Sequence, residues 1–126
     1  MNRSDSLKKG KNYVEMILLC LLSEKECYGY QLSQLVKEYS EGIISMPEGS
    51  LYPALYRLMA DGYIVDEKRL VGKRLQRVYY HIQPSGIEYL RILIDEYNTL
   101  NQGIYNILYN SKKEEKIYDE NNEMLH

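Results

Sequence analysis

The stretch GSLYPALYRL, residues 49–58, decides how the rest of the chain is read. Leu51, Leu55, Leu58 and Met59 recur at helical spacing and share one face at about 100° per residue. That face belongs to a core. Ser50, Pro53, Tyr56, Arg57 and Ala60 point the other way, with Tyr52 on the border. Ser50 is the expected N-cap, which places Pro53 in the first turn, where a helix has no internal partner for its N–H groups. Gly62, in ADGYI, is the expected stop. The outward face is therefore short, polar and aromatic, and suited to lying close against another surface.

Working outward, a helix is expected from about Asn12 to Ser23, capped by Asn12. Its apolar residues go nearly all the way round, as in a helix covered on several sides. A second helix, from about Gly29 to Ser40, puts Leu32, Leu35, Val36 and Tyr39 on one face. Downstream of the quoted stretch, YIVDEKRLV and QRVYYHIQ read as two strands joined by a charged turn at GKRL. From Pro84, a good first helical residue, a long helix runs to about Tyr109. Residues 1–11 read as a flexible basic arm, 12–83 as the folded domain, 84–111 as the long helix, and 112–126 as a charged, disordered tail.

Composition limits the function classes. The 126 residues are 44% hydrophobic and 27% charged, which fits one soluble domain. Net charge is −2, but residues 1–80 carry 12 Lys/Arg against 10 Asp/Glu, and residues 81–126 carry 4 against 8. An anionic partner should meet the first two-thirds. Cys20 and Cys27 lack zinc-site spacing and read as reduced thiols in a cytoplasmic protein. The apolar run MILLCLL, residues 16–22, is too short to cross a bilayer, and Glu15 interrupts any export signal. His81 and His126 have no Cys/His cluster around them, and no phosphate loop, dinucleotide fingerprint or catalytic triad stands out. No enzyme activity, metal, cofactor or membrane partner is expected.

The order helix, helix, helix, hairpin, long helix matches a winged helix-turn-helix, a mainly α fold with a two-stranded β-hairpin wing and, here, a long C-terminal dimerisation helix. In that arrangement the third helix enters the DNA major groove and the hairpin lies along the backbone. Ser50 and the helix N-terminus can donate to phosphate. Tyr52 and Tyr56 offer hydroxyls to phosphate and ring faces to thymine methyls, and Arg57 can pair with phosphate or guanine. At the hairpin, Lys68, Arg69, Lys73, Arg74 and Arg77 outweigh Asp66 and Glu67. Apolar surface in excess of one domain's needs points to a second copy: Ile17 and Leu21 on the first helix, and Ile87, Leu90, Ile94, Tyr97, Leu100, Ile104 and Leu108 on the last. Between paired last helices, Leu93 and Tyr97 could line a cavity for a flat aromatic compound.

Three stretches, YGYQL (28–32), PEGSLYPALYRLMADGYI (47–64) and RVYYHIQPSGIEYL (77–90), resemble the PadR family of transcriptional regulators, in its small form with a single dimerisation helix. The chain departs from the common family pattern at Leu58-Met59 and Ile82-Gln83, both structural positions. The resemblance implies a homodimeric repressor on an inverted-repeat operator, released in some members by a small aromatic effector. It implies DNA contacts from Ser50, Tyr52, Pro53, Tyr56 and Arg57, from Lys73, Arg74 and Arg77 on the wing, and from Tyr30 and Gln31 at the start of the second helix. Third helices in a dimer would lie about 34 Å apart, one turn of DNA. The competing expectation is a winged helix that serves as a protein-interaction module without binding DNA.

Overall fold

The structure is a computed structural model that describes residues 11–110, with side chains from Tyr13 onward. The basic arm up to Gly10 and the tail from Ser111 lie outside the described residues. The elements are α1 (Lys11–Glu24), β1 (Cys27–Tyr28), α2 (Gly29–Tyr39), α3 (Glu48–Ala60), β2 (Ile64–Val71), β3 (Leu75–Ile82) and α4 (Pro84–Asn110). The chain divides into two units inside α4, the first ending at Ile94 and the second beginning at Asp95.

α1 is the centre of the first unit. It packs against α2, α3 and β3, which is why its sequence is apolar nearly all round. Leu18, Leu19, Leu21 and Leu22 are buried among Leu32 and Val36 of α2 and Leu51, Leu55 and Leu58 of α3. Leu21, expected at a subunit interface, is thus a core residue of its own unit, and Ile17 is half-buried against that core. One unit covers α1 on more sides than its sequence alone leads one to expect. Asn12 is not the cap of α1, since the helix already includes Lys11.

The hairpin forms in register, with Ile64 opposite Ile82 at its base and Val71 opposite Leu75 at its end. Its sheet has three strands rather than two. β1 pairs with β3 through Cys27 opposite Tyr80 and Tyr28 opposite Tyr79, giving the order β1-β3-β2. Side chains alternate across a strand, so Cys27, Ile64 and Tyr80 enter the core while Tyr28, Glu67, Arg69, Arg77, Tyr79 and His81 share the other face. Burial pushes the Tyr80 hydroxyl up to about 12.

The start of α4 is held against the end of α3. Gln83 N–H donates to the Tyr63 carbonyl at 2.9 Å, and a β-carbon on Gly86 would fall 2.2 Å from that same oxygen. Only glycine fits there. Leu90 and Leu93 follow and sink into the core, at 8% and 1% exposure. In the single chain both side chains are therefore covered by their own unit. The remaining apolar residues behave differently: Ile87 and Ile94 are exposed. In the second unit Leu100, Ile104 and Leu108 are exposed too, by 41–47%, and Tyr97 is half-buried.

Candidate nucleic-acid interface

α3 begins three residues earlier than its sequence suggests. Pro47 is the N-cap and Glu48 the first helical residue, so Ser50 is not the cap but sits, exposed, in the first turn, its N–H donating to the Pro47 carbonyl at 2.9 Å. Pro53 falls at the sixth helical position, inside the helix. Its missing N–H leaves the Gly49 carbonyl without the usual donor, at a cost of about 3 kcal/mol for a helix-interior proline.

With Leu51, Ala54, Leu55 and Leu58 buried, the helix turns Gly49, Pro53, Tyr56 and Ala60 directly outward, and all four are exposed. Three of them carry little or no side chain beyond a small ring or methyl, and the fourth, Tyr56, is 58% exposed. This is a low-relief strip that another surface can approach closely.

The two flanks of the strip are occupied by contacts within the chain. On one flank Tyr52 lies half-buried over the start of α2. A β-carbon on Gly29 would fall 2.3 Å from the Tyr52 hydroxyl oxygen, so Gly29 makes room for the ring. Burial raises the Tyr52 hydroxyl above its ordinary value, with Glu48 and Tyr56 adding to the shift. Tyr52 and Tyr56 lie 6.2 Å apart, centroid to centroid. On the other flank Arg57, expected to reach phosphate or guanine, is drawn back: its Nε–H donates to Oε2 of Glu15 at 2.9 Å. Glu15 is 6% exposed, and a buried carboxylate holds a guanidinium firmly.

Beside the strip, Tyr30 is exposed at the start of α2. Gln31 is partly committed, because its Oε1 accepts the Tyr28 N–H at 3.3 Å and so satisfies the entry to α2.

The wing separates into a root and a tip. At the root, Arg69 donates to both carboxylate oxygens of Glu26 and to Glu67, the last at 2.9 Å, while His81 faces Glu67 through Nε2 at 2.8 Å and Glu26 through Nδ1 at 3.4 Å. Hydrogen bonds from Arg69 hold the Glu26 carboxyl below its ordinary value, and Arg69 and His81 do the same for Glu67. Donor atoms of Glu26, Glu67 and His81 lie within 4.8 Å of one another, close enough for a metal ion, but the guanidinium of Arg69 already supplies the cation there. Arg69 also lies over the Tyr79 ring and Arg77 over the Tyr28 ring, each 4.3 Å from the centroid. At the tip Lys73 and Arg74 are exposed.

The sequence alone did not mark the contacts of Glu15, of Glu26 and of the Tyr28–Tyr79 pair. Glu15 had a signal: a single carboxylate inside VEMILLCLL has to find a partner if the helix is buried. Glu26 had none, because β1 is only two residues long.

Residues 18–92 match the transcriptional regulator PadR-like family. The chain belongs to that family. A transcriptional regulator of Mycobacterium tuberculosis is 39% identical over 73 residues, covering 58% of this chain; the match spans 64% of that relative's length. Among solved structures, a transcriptional regulator from Clostridium thermocellum superposes with a TM-score of 0.69 at 34% identity, over 73% of this chain and 89% of that one. Bacillus subtilis PadR, solved in complex with operator DNA, superposes with a TM-score of 0.59 at 26% identity, over 63% of this chain and 45% of that one. The PadR-like neighbours share the winged-helix fold, and the long α4 extends it here. Among the described residues no helix is long and apolar enough to cross a membrane.

Proposed function

We propose that this PadR-like regulator is a sequence-specific, double-stranded-DNA-binding repressor that acts in the cytoplasm as a homodimer on an inverted-repeat operator. The observation that carries the reading is the exposed strip of Gly49, Pro53, Tyr56 and Ala60 on α3, set beside a wing whose cationic tip is uncommitted. The strip enters the major groove. Ser50 and Tyr56 offer hydroxyls to phosphate, and Pro53, Ala60 and the Tyr56 ring meet thymine methyls. Arg57 gives its Nε–H to Glu15, so only its Nη groups remain for phosphate or guanine, and methyl contact supplies the rest of the base readout. Lys73 and Arg74 follow the phosphate backbone, and Tyr30 reaches it from α2.

The exposed residues Ile87, Ile94, Leu100, Ile104 and Leu108, together with Tyr97, are the surface that pairs with a second copy. A small aromatic effector, where one acts, works by changing how these helices pair rather than by entering a cavity at Leu93.

Retention of fragmented genomic DNA on the purified protein, over a salt titration, tests the reading. Salt-sensitive enrichment of one inverted repeat is the expected result, with affinity falling steeply with salt. Equal retention of all fragments, or retention of none by a folded dimer, counts against it.

A further inference from the structure

Glu15 lies on α1, one turn ahead of Leu18 and Leu19, and its two carboxylate oxygens are taken by donors from two other helices. Oε2 accepts from Arg57 Nε of α3 at 2.9 Å, and Oε1 accepts from the Tyr89 hydroxyl of α4 at 3.3 Å. The Tyr89 ring is stacked on Tyr63 with centroids 4.2 Å apart and planes 11° from parallel, which fixes the direction in which the hydroxyl points. Burial, and then Glu15 itself, raises the Tyr89 hydroxyl, so it stays protonated and stays a donor.

The side chains that these helices bury in the core are apolar, most of them leucines. Apolar burial has no directional demand, so leucine contacts tolerate a small slide of one helix on another. A carboxylate with one donor per oxygen does not, because hydrogen bonds weaken steeply with misalignment. We propose that Glu15 is a positioning residue: through Arg57 and Tyr89 it fixes how the outward strip of α3 lies relative to the first turns of α4. For its consequence on DNA this rests on the reading given under the proposed function; for its structural content it does not. In a dimer that pairs through Ile87 and Ile94 on those first turns, the angle it sets becomes the half-site spacing that the two α3 strips can reach.

Glu15→Gln keeps the size and removes the charge, and its amide nitrogen meets a donor where an oxygen accepted one. In the full chain, native-state hydrogen exchange is the first readout. The α3 amides should accelerate about tenfold more than the α1 amides of Leu18 and Leu19, which report global stability, as local opening does and a purely global loss of stability does not. The second readout is affinity for the enriched operator and for versions with one base pair added or removed between half-sites. The variant should lose about tenfold on the best site, keep its non-specific affinity, and discriminate less between spacings. Equal acceleration in α1 and α3, no acceleration, or an unchanged spacing profile overturns the proposal. If Glu15→Gln does not fold, Tyr89→Phe, which removes only the α4 bond, is held to the same outcomes. If the unaltered protein binds no specific DNA, the functional reading fails, and the exchange pattern alone decides the role of Glu15.

Discussion

The Nε–H of Arg57 on α3 donates to Oε2 of Glu15 on α1 at 2.9 Å, and the contact ties a residue expected to read DNA to the buried helix at the centre of its unit. Arg57→Ala leaves a carboxylate, 6% exposed, with only the Tyr89 hydroxyl for a partner. Breaking a fully buried pair costs about 3–5 kcal/mol. The Arg57 side chain is itself 39% exposed, so water reaches part of the pair and the expected loss is about 2 kcal/mol. Urea unfolding measures it. A loss within about 0.5 kcal/mol, the range of an ordinary surface substitution, would mean that the pair carries no weight.

The division of the wing into root and tip gives a prediction about salt. Lys73→Ala and Arg74→Ala should weaken binding to all sequences alike, each lowering the slope of log affinity against log salt by about 0.9 per site contacted. Arg69→Ala should leave the slope unchanged, because Glu26 and Glu67 already neutralise that guanidinium. A drop in slope for Arg69→Ala as large as for Arg74→Ala would show that the root opens on DNA.

How much of this was legible beforehand depended on the range of the interaction. The periodicity of Leu51, Leu55 and Leu58 and the alternation in β2 and β3 are local signals, and they placed α3 and the wing within a few residues. The start of α3 was misjudged because Ser50 is the better side-chain cap, while the structure uses the backbone of Pro47. The destination of Arg57 depends on a residue 42 positions earlier, and no periodicity encodes that. The same holds for Leu21, Leu90 and Leu93. An apolar residue on a helix declares that it will be buried, but whether its own unit or a second copy covers it depends on the packing of α1 among three neighbours. Ile94, Leu100, Ile104 and Leu108 stay exposed in the chain by itself, which keeps the expectation of a partner where the core no longer competes for them.

Pro53 sets stability against fit. It sits at the sixth position of α3 rather than in the first turn, so it removes a bond from the Gly49 carbonyl. Pro53→Ala should therefore raise stability, by up to about 3 kcal/mol on the helix scale, while lowering operator affinity through loss of the ring on the outward strip. Thermal unfolding and a gel-shift titration on the same sample check both signs. Lower stability in the alanine variant would mean that the proline ring makes a packing contact worth more than the missing bond.

The root of the wing predicts a window of acid sensitivity. Glu26 and Glu67 are both held below the ordinary carboxylate value of 4.5, chiefly by hydrogen bonds from Arg69 and, for Glu67, from His81. A carboxylate whose folded value lies below its unfolded one contributes stability above the unfolded value and loses it as pH falls through the folded one. The unaltered protein should therefore exceed the Glu26→Gln/Glu67→Gln variant in stability by a constant margin from neutral pH down to about 4.5. Below that the margin should shrink, and it should vanish once both carboxyls are protonated. Both groups are well exposed, so the margin should also shrink with added salt. Urea midpoints for the two proteins, taken at intervals between neutral pH and pH 3, give the curve. A margin that persisted undiminished at the acid end would assign it to packing of Arg69 on Tyr79 rather than to the charges.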